Sequence, residues 1–134
     1  MTMLNPLRRN ETGAAAIEFA LALPVLVLFI WGIFQIGLLF QANAGMHHAL
    51  GEGARYAALY DRTTSSHVPS DTNIKARMND KLFGAGGGTF TVSDPVTGVG
   101  FKLLTISYTR SMDFLFFTGP TVTLTRSKKV YTVA

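Results

Sequence analysis

The stretch Phe19–Phe40, FALALPVLVLFIWGIFQIGLLF, carries no charge over 22 residues and holds Gln35 as its only strongly polar side chain. At 1.5 Å rise per residue, a helix of that length spans the ~30 Å hydrocarbon core of a bilayer. The stretch therefore reads as one transmembrane span, placed close to the N-terminus. Pro24 lies in its first half, where the missing N–H and the clash with the preceding turn predict a bend or local loosening near residues 20–24. Gly32 and Gly37 are tolerated in such a helix, and Trp31 falls deeper than an interfacial aromatic normally sits.

On the N-terminal side, a short polar leader with Arg8 and Arg9 runs through Asn10-Glu11-Thr12-Gly13 into Ala14-Ala15-Ala16-Ile17-Glu18. A basic segment before an apolar core also describes a secretory signal. The core is long for that role, however, and no small-residue cleavage site bounded by turn residues follows it. A retained anchor is the favoured reading. The positive-inside bias then holds residues 1–13 in the cytoplasm and places the rest of the chain outside the cytoplasmic membrane.

On the C-terminal side, Gln41 to Tyr60 lacks proline and is rich in alanine, which predicts that the same helix continues from 14 to 60, about 70 Å in all. Within it Gly45, Ala49, Gly53 and Ala57 repeat every four residues and line one face, a pattern that lets another backbone approach closely. A more apolar row, Ala42, Met46, Leu50, Ala54 and Ala58, runs beside it. This face either covers the chain's own C-terminal sheet or packs on the helix of a neighbouring subunit.

Residues 61–134 read as a small α+β domain. A polar loop from Arg62 to Ser70 precedes a helix predicted over Asp71–Phe83, capped by Ser70 or Asp71, with Ile74, Met78 and Leu82 on one face. The run Gly84–Gly88 ends that helix and is expected to act as a flexible joint. Strands follow over 89–93, 101–110 and 121–133, with Asp94–Gly98 a turn and Gly119-Pro120 a break. The whole chain is thus α+β: a long N-terminal transmembrane and amphipathic helix, a short helix and a small antiparallel sheet.

Twelve bases against eight acids give a formal charge of +4, a mild excess far from the dense basic runs that bind nucleic acid. Cysteine is absent, so no disulfide, thiol nucleophile or Cys-ligated metal exists. Once leader and span are set aside, roughly 90 residues remain, enough for a modest core that leans on partners for stability.

The junction at Gly13 is the specific part of the sequence. A glycine ends the basic leader, an apolar segment follows, and Glu18 stands five residues beyond the glycine. Were the chain cut after Gly13, the new α-amine would lie near the membrane face, where Glu18 could neutralise it within the chain or on the next subunit. The plainer reading is a helix-start glutamate favoured by the helix dipole.

At these residues the chain resembles TadE-like proteins, pilin-like (pseudopilin) components of the bacterial tight-adherence, Flp-type pilus apparatus. The resemblance rests on Arg8-Arg9, on Gly13-Ala14-Ala15-Ala16-Ile17-Glu18-Phe19-Ala20-Leu21-Ala22-Leu23-Pro24 with the apolar run after it, and on Gly53-Ala54-Arg55-Tyr56-Ala57-Ala58. It covers about the first 60 residues. It implies a pilin-like fold, cleavage between Gly13 and Ala14 by a prepilin peptidase of the inner membrane, and Glu18 as the acidic residue of recognition and assembly. Phe19, where the major pilins of the family usually carry tyrosine, and the added domain favour a minor pseudopilin. The partners so implied are the membrane, the peptidase, other pilins or pseudopilins and the assembly platform. The implied place is the inner membrane, with the C-terminal domain periplasmic or carried into a surface pilus.

Other constellations are weaker. His47, His48, Glu52 and His67 are the only metal candidates, but His47 points about 100° from His48 and no H-E-x-x-H pattern exists. The glycine run lacks the Lys-Ser/Thr of a phosphate loop, and no Ser/His/acid set has supporting spacing. No cofactor, small-molecule substrate or catalysis is expected. Phe114-Leu115-Phe116-Phe117 either folds under the sheet as core or forms an apolar patch for a partner pilin or the membrane surface. Arg126, Lys128 and Lys129 read as a solvated strand face that, with Arg110, could steer docking to an acidic partner. The competing class is an unprocessed single-span binding or sensor protein.

Overall fold

The structure, a computed structural model, describes residues 11–59, 68–114 and 116–132. Arg8, Arg9, Tyr60, His67, Leu115 and most of the leader and of the 62–70 loop lie outside them. The order of elements is α1 (Glu11–Ala57), α2 (Asp71–Asp80), β1 (Thr89–Val92), β2 (Val96–Gly98), β3 (Phe101–Phe114) and β4 (Phe117–Tyr131). A long apolar helix, a short helix and a small antiparallel sheet make the chain α+β.

Helix α1 is continuous over 47 residues and runs through Pro24 without interruption. A membrane helix loses one ladder bond there and keeps the rest, so the loosening expected from sequence does not divide the element. It is long and apolar enough to cross a membrane, and none of its most apolar stretch is covered by the rest of the chain.

Helix α2 begins as its sequence dictates. The Ser70 hydroxyl accepts from the Asn73 N–H, and Asp71 in the first turn complements the positive helix end. Ile74 and Met78 are fully buried against α1. The helix stops at Asp80, short of the expected Phe83, where Lys81 ion-pairs with Asp80 at 3.0 Å. That contact, chiefly its hydrogen bond, holds the Asp80 carboxyl below the ordinary carboxylate range.

The glycine run is a packed segment and not a loose joint. Gly84 (φ +78°) and Gly86 (φ +49°) adopt backbone that other residues resist, and a Cβ on Gly88 would collide with the Tyr108 ring. Tyr108, buried in the core, donates its hydroxyl to the Ala85 carbonyl at 2.6 Å. The glycines let the backbone lie against the tyrosine that anchors it.

Strand β3 is the centre of the sheet. It pairs antiparallel with β1 and β2 on one side and with β4 on the other. Two expectations need correction here. Residues 96–98, read as part of a turn, form β2, because Gly98 and Gly100 (φ +72°) close a hairpin that pairs Val96 with Leu103. Gly119-Pro120 does not break the last strand; it lies opposite an irregularity between Ser111 and Asp113, a place where proline's missing donor is tolerated. Both β3 and β4 consequently extend further than expected.

The strand alternation puts Lys102, Leu104, Ile106 and Tyr108 on the buried face of β3. Leu104, Ile106 and Tyr108 pack on Ala42, Met46, Ala49, Leu50 and Ala54 of α1. Lys102 is held by the Asp71 carboxylate and the Pro69 carbonyl, the pairing a buried ammonium requires.

Candidate functional site

The candidate site is α1 itself, and its two halves differ. From Gly13 to Ile30 every side chain described is exposed, apart from the half-buried Leu28. Glu18 and Phe19 lie on this bare part, and among the described residues Glu18 has no ion-pair partner. Gly13 has open space around its Cα and Ala14 is exposed. The described part of α1 runs without interruption through the Gly13–Ala14 bond.

From Ala42 to Ala57 one face is covered. Gly45, Ala49, Gly53 and Ala57 are all buried, and the chain's own elements cover them. A Cβ on Gly45 would strike the Phe83 carbonyl, and one on Gly53 would strike the Met78 side chain. The small-residue stripe thus admits α2 and the segment behind it, which occupies the face where a neighbouring helix would otherwise sit. Steric fit to a close backbone is what the repeat encodes; the sequence alone could not say whose backbone.

Between these halves is a junction that the sequence reading missed. Trp31 Nε1 and Gln35 Nε2 each donate to the Asp113 carbonyl at 2.7 Å. They stand one helical turn apart and so present two donors to one acceptor. Phe114 reaches the helix at Gly32, where a Cβ would stand 3.9 Å from its ring. The signal was available: a lone amide in a 22-residue apolar run needs a partner. Gln35 is buried, and its Oε1 has no hydrogen-bond partner among the described residues.

The aromatic cluster splits in consequence. Phe114 is half-buried and stacks on Phe117 with centroids 4.8 Å apart, while Phe116 and Phe117 are 75% and 58% exposed. Phe116 and Phe117 are therefore not core under the sheet, because the hairpin carries them beyond the sheet's last buried layer. Arg126 is likewise not a solvated strand residue. It stands opposite Ile106 on the helix-facing side and donates from Nε to Asn43 Oδ1 of α1 at 3.0 Å. Lys128 and Lys129 are exposed, with Lys129 over the Phe101 ring. Arg110 is half-buried on the inner face. The three cations and Arg110 therefore do not form one docking patch. An open groove of about 210 Å³ lies between α1 and β4, lined by Ile36, Leu39, Phe40, Asn43, Leu124 and Arg126.

Two of the metal candidates, His48 and Glu52, are engaged separately. His48 Nδ1 is 3.3 Å from the Lys81 carbonyl, and Glu52 faces Arg55 and Arg77 at 3.6 and 3.5 Å. Among the described residues no three His, Asp or Glu side chains converge.

A family model described as TadE-like protein matches residues 13–55, the bare half of α1 together with Gly45, Ala49 and Gly53 of its small-residue stripe. No curated protein and no solved structure matches the chain.

Proposed function

We propose, from the premise that this chain is a TadE-like, pilin-type protein over residues 13–55, that it is a minor pseudopilin of a tight-adherence pilus system. In this reading it is made with a cytoplasmic leader, cut between Gly13 and Ala14 by a prepilin peptidase, and assembled with other pilus components through the bare half of α1. The observation that carries the reading is the contrast within one helix. Gly13 to Ile30 is left uncovered by the chain's own domain, whereas the stripe beyond Ala42 is used up internally.

An uncovered apolar helix needs lipid or other helices around it. A carboxylate on such a helix needs a positive partner. The α-amine released on Ala14 supplies one, about one helical turn away on the same chain or on the next subunit. The C-terminal domain then rides outside the cytoplasmic membrane and presents its sheet to partners.

Edman sequencing of the chain isolated from membranes of cells carrying the pilus apparatus tests this. A mature N-terminus at Ala14 is expected. An intact Met1 or Thr2 overturns the processing and favours an unprocessed single-span binding protein.

A further inference from the structure

Strand β3 runs back along α1 toward the membrane. Leu104 lies by Gly53 and Phe114 by Gly32. Ten strand residues at about 3.3 Å and twenty-one helix residues at 1.5 Å both cover roughly 32 Å. The hairpin end is therefore delivered to one level of the helix, where the Asp113 carbonyl takes its two bonds from Trp31 and Gln35. The exposed rings of Phe116 and Phe117 sit just past that level, joined to it through the Phe114–Phe117 stack.

We propose that this hairpin tip rests in the outer interfacial layer of the membrane, and that the embedded part of α1 ends near Trp31 instead of Phe40. The inference rests on α1 being a membrane anchor and adds its depth. Three observations carry it. The uncovered segment Gly13–Ile30 is 18 residues, about 27 Å, which matches the hydrocarbon thickness. Trp31, Phe34, Phe116 and Phe117 gather at its end, with the indole N–H already on a carbonyl, as an aromatic belt requires.

The third observation excludes deeper immersion. A span over 19–40 would put Trp31 near the bilayer centre and draw the bonded hairpin in with it. The outer edge of β4, which among the described residues pairs only with β3, would enter hydrocarbon with its backbone donors and acceptors unpaired. At interfacial depth that edge stays in reach of water. Ile36 and Phe40 then stand above the hydrocarbon, beside the groove against β4.

The full chain, in vesicles of phosphatidylethanolamine and phosphatidylglycerol, decides the matter. Because there is no cysteine, Leu23→Cys, Phe117→Cys and Thr123→Cys each carry one spin label without background. Collision with oxygen relative to a water-soluble nickel chelate should rank Leu23 above Phe117 and Phe117 clearly above Thr123. A Phe117 label as chelate-accessible as Thr123 overturns the proposal. So does shielding from both reagents that vanishes when labelled chains are diluted with unlabelled ones, which would mean a second copy covers the tip. A chelate-accessible Leu23 label overturns the anchor itself. Trp31, the single tryptophan, provides a test without substitution: quenchers attached near the headgroup should outdo those near the acyl end, and the reverse order overturns the proposal.

Discussion

Gln35 donates from Nε2 to the backbone carbonyl of Asp113 at 2.7 Å, across 78 residues of sequence. One amide thereby joins the apolar helix to the end of the β3–β4 hairpin. The same carbonyl takes the Trp31 indole N–H, so the joint has two donors and one acceptor.

Substitution at Gln35 should separate its hydrogen bond from its charge tolerance. Gln35→Met loses a bond worth about 1 kcal/mol but also removes an unsatisfied buried oxygen, so a stability change within about 1 kcal/mol is expected. Gln35→Glu places a carboxylate against a carbonyl and should undock the hairpin. Hydrogen exchange would then show protection lost at Ser111–Phe117 and kept in α2. Equal protection in both variants would contradict the joint.

The stripe residues test whose backbone they admit. Gly45→Ala drives a methyl into the Phe83 carbonyl and should destabilise the domain by about 1–3 kcal/mol. Gly51, six residues on, meets nothing within 4 Å, and Gly51→Ala should stabilise by roughly 0.5–1 kcal/mol through helix propensity. Thermal melts of purified protein in detergent measure both. A neutral Gly45→Ala would return the stripe to intermolecular packing.

Processing depends on Gly13 in the proposed function. Gly13→Leu should leave the chain about 13 residues heavier in cells that carry the peptidase, a difference read directly by intact mass. Since a Cβ at Gly13 would meet nothing within 4 Å among the described residues, the folded domain should melt unchanged, which separates a processing defect from misfolding.

Glu18 should matter for assembly and not for stability. No described side chain pairs with it, so Glu18→Ala is expected to leave the melting temperature unaltered while reducing co-purification with other pilus components several-fold. Retention of those components at wild-type levels would remove Glu18 from the assembly role.

Much of this architecture is legible in residue order. The Ser70 cap, the Ile74–Met78 face of α2 and the inward row Leu104, Ile106 and Tyr108 all stand where periodicity places them. Local rules suffice there, because capping and alternation act over a few residues. Misreadings fell where a distant partner decides. Residues 96–98 become a strand because β3 offers an edge, and Gly119-Pro120 stays within β4 because an irregular pairing absorbs it.

By itself the sequence determined that an uncharged apolar stretch, Phe19–Phe40, lies within a long helix and that a short helix and antiparallel strands come after it. Hydropathy and spacing carry that much, since they describe what one segment demands of its surroundings. Only the tertiary structure decided which surroundings the chain supplies for itself. It fills the stripe with α2, binds Arg126 to Asn43, and lays the hairpin on Trp31 and Gln35. The physical reason is that a small side chain, a lone amide or an aromatic cluster specifies a kind of neighbour, and only the fold says which neighbour arrives.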